Sequence, residues 1–309
     1  MINVLFSAKP ELWPAYEAPL TAALAEVGLK AALGRQFPPE TVDYIVCAPN
    51  GPVRDFTPFL RLKAVLNLWA GVETIVGNPT LRVPLTRMVD PALTQGMVEW
   101  VTGHTLRHHL GMDAHLDAAP GSWDKRAPPV AWDRRVTILG LCALGAACAD
   151  MLARLGFQVT GWARSAKAIE GVRCLAGQAA LKDALSGAEI VVLLLPDTAG
   201  TRNIINRDTL ALPARGAVLL NPGRGALIDD AALLAALDSG YVAHATLDAF
   251  RTEPLPPEDP YWHHPRVTVT PHIASETRPA WSSRTIAENI RRAEAGEPLL
   301  HLVDRRRGY

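Results

Sequence analysis

Val136-Thr137-Ile138-Leu139-Gly140-Leu141-Cys142-Ala143-Leu144-Gly145 is a short apolar run, a glycine, and the opening of an amphipathic stretch. It reads as a strand, a tight turn and a helix. The spacing follows the dinucleotide-binding fingerprint G-x-G-x-x-G, with Cys142 in the middle position. Gly140 would make the turn and Gly145 would let the helix lie close on the strand. The N–H groups of the helix start, around Ala143 and Leu144, would hold a pyrophosphate. The middle position is where backbone meets phosphate most closely, so the Cys142 side chain is expected to push the pyrophosphate away or to demand a shifted loop.

About twenty residues further on, NAD-binding folds place an acid against the ribose 2′-hydroxyl. Here the second strand ends Gly161-Trp162-Ala163-Arg164-Ser165-Ala166-Lys167, without a carboxylate. Arg164, Ser165 and Lys167 suit a 2′-phosphate instead. The expected cofactor is NADPH (NADP+), with NADH less favoured.

Outward from this unit the alternation continues: strand 136–139, helix 144–155, strand 158–162, helix 181–185, strands 190–195 and 217–221. Helix 229–239 follows, with Asp229 as N-cap and Gly240 as terminator, and then strands 245–249 and 267–270. That order predicts an α/β fold with a Rossmann-type, doubly wound parallel sheet. The first ninety residues alternate in the same way, with apolar runs at 2–6, 44–48, 64–69 and 81–85 and amphipathic runs at 12–26 and 56–60. A second α/β domain of flavodoxin-like type is expected there. A long helix after Pro91, running to about Leu110, would join the two, and a Pro-, Gly- and charge-rich loop occupies 118–133. The helical stretch 277–294, ended by Gly296, would return the chain to the first domain.

Three further segments carry chemistry: Asn221-Pro222-Gly223-Arg224-Gly225, Leu247-Asp248-Ala249-Phe250-Arg251-Thr252-Glu253-Pro254 and Thr270-Pro271-His272. Each follows a predicted strand, on the carboxyl side of the sheet where ligands of open parallel sheets bind. An Arg, a carboxylate and a His are what reduction of a 2-keto acid requires. A protonated His272 would donate the proton, Glu253 would orient the ring and hold its pKa up, and Arg224 would pair with the substrate carboxylate and polarise the carbonyl.

These segments, in this order and spacing, resemble the signature of the D-2-hydroxyacid dehydrogenases. The similarity covers most of the chain. Leu195-Pro196-Asp197-Thr198 with Thr201-Arg202 is similar to the family's loop beside the nicotinamide. The resemblance thus implies cofactor contacts at Leu195, Pro196, Thr201, Asn221, Pro222 and Asp248. Asn67-Leu68-Trp69-Ala70-Gly71-Val72-Glu73 resembles the family's substrate loop, whose backbone N–H groups bind the carboxylate. That role falls on Ala70, Gly71 and Val72, although Trp69 and Glu73 replace the commoner Gly and Asp. Residues 1–96 and 287–309 would form the substrate-binding domain, and 97–286 the NAD(P)-binding domain. Arg87-Met88-Val89-Asp90-Pro91, Gly161-Trp162-Ala163-Arg164-Ser165 and the closing Arg307-Gly308-Tyr309 resemble the glyoxylate/hydroxypyruvate reductase branch. This implies a homodimer that reduces glyoxylate and hydroxypyruvate. Arg87 would add a cation near the substrate or form a structural ion pair. Trp281 would wall the pocket or, as a core aromatic, pack inside the fold.

Two rival readings are a non-catalytic NADP(H)-binding sensor or scaffold, and other chemistry on this fold, such as formate oxidation or reduction of a different 2-keto acid. The retained Arg224, Glu253 and His272 oppose the first. Glu253, where formate-oxidising relatives carry an amide, opposes formate oxidation and leaves reduction of a different 2-keto acid open.

Other partners find little support. Lys plus Arg and Asp plus Glu both number 31, which leaves no net field for nucleic acid or an anionic membrane. The start, Met1-Ile2-Asn3-Val4, has no signal-peptide pattern, and no apolar run approaches bilayer length, so a cytoplasmic protein is expected. Cys47, Cys142, Cys148 and Cys174 lack metal or disulfide spacing and are read as reduced, mostly buried thiols. His104 and His108 share a helix face without a third ligand, so no metal is expected. His263 and His264 are expected to face solvent or a domain interface.

Overall fold

The protein is described by a computed structural model covering residues 1–123 and 125–308. Tyr309, part of the closing motif, lies outside the described residues, as does Asp124 in the 118–133 loop. The first half runs β1 (Ile2–Ser7), α1 (Trp13–Glu26), β2 (Ala31–Gly34), β3 (Tyr44–Cys47), β4 (Ala64–Asn67), α2 (Glu73–Val76), β5 (Leu85–Thr86), α3 (Pro91–His109) and α4 (Met112–Leu116). Then come β6 (Arg135–Leu139), α5 (Ala143–Arg154), β7 (Gln158–Ala163), β8 (Val172–Ala176), α6 (Leu181–Leu185), β9 (Ile190–Leu193), α7 (Arg207–Leu210) and β10 (Ala217–Asn221). The chain closes with α8 (Asp230–Asp238), β11 (Val242–Leu247), α9 (Pro260–His263), β12 (Val267–Val269) and α10 (Pro279–Glu294).

Two compact units result, Met1–Leu93 with Glu276–Tyr309, and Thr94–Ser275. The second division falls at the head of α10 rather than at residue 287, and packing explains it. Ile286, Ala287 and Ile290 are buried among Val4, Leu20 and Leu24, so the whole helix belongs to the first core.

The first unit holds a parallel sheet of order β2-β1-β3-β4-β5. Strands β3 and β4 are buried along their full lengths, as strands covered on both faces must be, and read as unbroken apolar runs. Its order is the flavodoxin-like one. The second unit holds a parallel sheet of order β12-β11-β10-β9-β6-β7-β8. Its connections reverse direction between β6 and β9, which makes that gap the switch point where nucleotide-binding sheets open. The α/β doubly wound expectation therefore stands.

Three local expectations differ. Residues 56–60 form turns rather than a helix, and the strand predicted at 81–85 is confined to Leu85–Thr86. Edge strands β2 and β8 were not anticipated; half-buried residues and the charge of Arg173 blur the apolar signal there.

Candidate active site

The carboxyl end of β6 is built as its glycines require. Gly140 has a φ of 109°, and a Cβ there would lie 2.4 Å from the Leu194 carbonyl oxygen. A Cβ on Gly145 would sit 1.8 Å from the Gly140 carbonyl oxygen, so only glycine lets α5 start this close to the strand. Cys142 is the N-cap of α5, with an ordinary φ of −73°, and is exposed. Its backbone does not need glycine, and Ala143 and Leu144 begin the helix beyond it. Arg164, Ser165 and Lys167 follow β7 directly and are exposed. This cradle and cation pair fit a phosphorylated dinucleotide.

On the other side of the switch point, the loop after β9 is pinned from within. Thr201 Oγ1 donates to the Pro196 carbonyl at 2.6 Å and accepts from Thr198 N–H at 2.9 Å. Leu195 is buried, and the exposed Arg202 pairs with Asp197 at 2.8 Å. Asn221, fully buried at the end of β10, donates to the Arg224 carbonyl at 3.0 Å and accepts from Gly223 N–H at 3.2 Å. Its amide, and the buried Pro222 after it, thereby fix the Arg224 turn. Arg224 Nη1 also donates to the Gly223 carbonyl at 2.7 Å.

His272 Nδ1 lies 2.7 Å from Glu253 Oε2, and Glu253 Oε1 accepts from Phe250 N–H at 2.8 Å. That bond raises the His272 pKa; burial works against it, the Glu253 charge supports it, and the nearby Arg224 charge lowers it. Burial alone would raise the Glu253 carboxyl, but the hydrogen bonds from His272 and Phe250, with the charges of His272 and Arg224, leave it below its ordinary value. All three predicted chemical groups thus lie within electrostatic reach of one another.

His272 adopts a left-handed backbone, φ 55°, which a non-glycine residue holds only under constraint. Asp248 supplies the constraint. Fully buried, it accepts from Ile273 N–H and Ala274 N–H at 2.9 Å each and from Thr270 Oγ1 at 2.6 Å, while its carbonyl accepts from His272 N–H at 2.9 Å. This role was missed in the sequence, where Asp248 was read only as a cofactor contact.

In the first unit, Ala70 and Gly71 are half-buried and Val72 is buried. Arg87 makes no ion pair among the described residues; its charge, after burial, helps push the His301 pKa down. Trp281 is not a core aromatic: it is 44% exposed, with the Arg284 guanidinium 5.3 Å from its ring. His108 bonds to Thr246 at 2.9 Å and stacks on His244 at 4.9 Å; burial pushes the two down to about 3 and about 4. His264, expected to face solvent or a domain interface, is mostly covered and pairs with Asp238 at 3.3 Å. The cysteines are unpaired, but only Cys47 and Cys148 are buried.

Proteins of similar sequence and fold are known. A D-isomer specific 2-hydroxyacid dehydrogenase from Xanthobacter autotrophicus Py2, solved with NADPH and MES, is 43% identical with a TM-score of 0.91, over 100% of this chain and 99% of that one. An NADPH-dependent glyoxylate/hydroxypyruvate reductase from Sinorhizobium meliloti, solved with NADP and sulfate, is 34% identical with a TM-score of 0.87, over the full length of both. Glyoxylate/hydroxypyruvate reductase A of Serratia proteamaculans is 40% identical over 81% of this chain and 82% of its own length. Residues 104–274 match the profile of the NAD binding domain of D-isomer specific 2-hydroxyacid dehydrogenases. With that domain and relatives of this identity along most of its length, the chain belongs to the D-isomer specific 2-hydroxyacid dehydrogenase family.

Proposed function

We propose that the chain is an NADPH-dependent reductase of the short 2-keto acids glyoxylate and hydroxypyruvate. The observation that carries this is the His272–Glu253 pair, an imidazole whose pKa the carboxylate raises, beside Arg224 at the carboxyl ends of neighbouring parallel strands. Similar reductases bear those substrates in their names.

Bound NADPH supplies the hydride. The residues that would hold it are Gly140, Cys142, Ala143, Leu144 and Gly145 at the pyrophosphate, Arg164, Ser165 and Lys167 at the 2′-phosphate, and the loops of Leu195, Pro196, Thr201, Asn221, Pro222 and Asp248 near the nicotinamide. Glu253 on Nδ1 leaves His272 Nε2–H to protonate the carbonyl oxygen as negative charge builds there. Arg224 grips the carboxylate and polarises the carbonyl. In the first unit, the N–H groups of Ala70, Gly71 and Val72 are neutral donors for a substrate carboxylate, with Arg87 and Trp281 as further substrate contacts.

The reading includes a cytoplasmic homodimer. Unpaired thiols suit a reducing compartment. Leu110, Met112, Leu116, Trp123, Val130 and Trp132 expose an apolar series along one segment, as a surface for a second copy would. Among the described residues no helix is long and apolar enough to cross a membrane.

Oxidation of NADPH followed with glyoxylate, hydroxypyruvate and pyruvate tests the activity. The first two should turn over, with kcat/KM for NADPH roughly ten to a hundred times that for NADH, the scale of one charge-assisted bond to the phosphate. Absence of turnover with every acid would overturn the reading, and equal use of both cofactors would overturn its cofactor part.

A further inference from the structure

We infer that Asn67 is a positioning residue for substrate, acting through the backbone of the loop that follows it; the inference rests on the proposal that this loop takes the 2-keto acid carboxylate. Asn67 ends β4 and is fully buried. Its Nδ2 donates to the carbonyl of Trp69 at 2.7 Å and to that of Gly71 at 2.8 Å. Trp69 O also accepts from Met88 N–H at 2.9 Å, and the preceding Leu68 O accepts from Thr277 Oγ1 at 2.9 Å. Three of the four carbonyls from Leu68 to Gly71 are therefore held by the protein. The N–H groups of Trp69, Ala70, Gly71 and Val72 make no hydrogen bond among the described residues.

A carbonyl and the N–H of the next residue belong to one rigid peptide plane and point in opposite directions. Holding the Trp69 carbonyl on Asn67 therefore turns the Ala70 N–H away from that amide, and holding the Gly71 carbonyl turns the Val72 N–H away. One side-chain amide thus sets two donors for an anion. Successive N–H groups presented together are a recognised anion-binding arrangement. The orientation of the amide itself is settled by Cys47. Its buried thiol lies 3.9 Å from Asn67 Oδ1, and burial pushes that thiol up to about 12, so it stays an S–H donor and the oxygen faces it. Sequence reading assigned the loop but passed over Asn67, which touches no ligand in this scheme.

Asn67→Leu keeps the volume and removes the donor. The expected result is a KM for glyoxylate raised about tenfold, the scale of losing one neutral hydrogen bond from bound substrate, with kcat within about threefold and the pH profile unmoved. NADPH affinity, measured by fluorescence, should stay at the wild-type value, which a general loss of structure would not allow. Should Asn67→Leu fail to fold, Asn67→Ser is read by the same measurements. Cys47→Val should move KM the same way by a smaller factor, and Cys47→Ser, which restores a donor to Oδ1, should bring it back. Ala70→Pro, which deletes one of the two N–H groups that Asn67 sets, separates the two ideas. A normal KM in Ala70→Pro would remove the loop from carboxylate binding. A raised KM there with a wild-type KM in folded Asn67→Leu or Asn67→Ser would overturn the role of Asn67.

Discussion

His272 and Glu253 shift in opposite directions, and the signs fix a testable pH behaviour. The imidazole must carry its proton to donate it, so reduction falls as pH rises through the raised His272 value. Glu253→Gln removes the charge and the carboxylate acceptor that hold this value up, so the falling limb should move to lower pH with NADPH affinity nearly unchanged. A limb that stayed in place would show Glu253 to be a bystander. His272→Ala should lower kcat for glyoxylate by about 10²–10⁴. For stability, the His272 contribution is full below its unfolded pKa and is lost as pH rises through the raised folded one. That of Glu253 is full above its unfolded pKa and is lost as pH falls through the lowered folded one. Both side chains are more than a third exposed, so solvent screening keeps this contribution small. Cys142 gives a second prediction. An exposed side chain at the mouth of the α5 cradle crowds a pyrophosphate, so Cys142→Gly should tighten NADPH binding; a titration giving equal or weaker affinity would mean the loop already accommodates the thiol.

At the level of elements, the residues proposed to react sit in loops while buried polar groups at strand ends decide how those loops run. Asp248, just beyond β11, is the strongest case. Asp248→Ala would leave two N–H groups and a hydroxyl without their acceptor inside the protein and should cost roughly 2–4 kcal/mol. Urea unfolding should show a lower midpoint at unchanged slope, and a midpoint equal to wild type would refute the structural role given to Asp248. Sequence made the fingerprint legible because Gly140 and Gly145 meet hard steric limits, and it made Asp229 and Gly240 legible because helix ends have fixed chemistry. It placed Arg224, Glu253 and His272 because each follows an apolar run. It could not show Asn67 or Asp248 working on distant backbone, since those bonds depend on which loops the sheet brings together. An amide or carboxylate at the last position of a buried strand, or just beyond it, was the available signal.

For the whole molecule, the two sheets were predicted in kind, and their parallel pairing fits the rule that parallel strands are joined by crossovers that cover both faces. The edges were the weak point, because β2 and β8 bury only part of each residue. The assignment of α10 depended on packing that alternating charge in its sequence hides. The exposed apolar series from Leu110 to Trp132 carries the assembly prediction. Trp123→Glu combined with Trp132→Glu should convert the proposed dimer to a monomer in sedimentation velocity. A dimer that persisted would place the contact elsewhere.

Burial has a further effect on how this protein can be observed. The His108–His244 stack is driven to about 3 and about 4, and His104, His109 and His301 are also lowered, whereas His272 moves upward. In a proton NMR titration the His108 and His244 ring signals would finish moving at acidic pH, and the His272 resonance would move at higher pH. The protonation of His272, the proposed general acid, can then be followed in the intact wild-type protein, by a magnetic signal separated in pH from that pair, before any residue is changed.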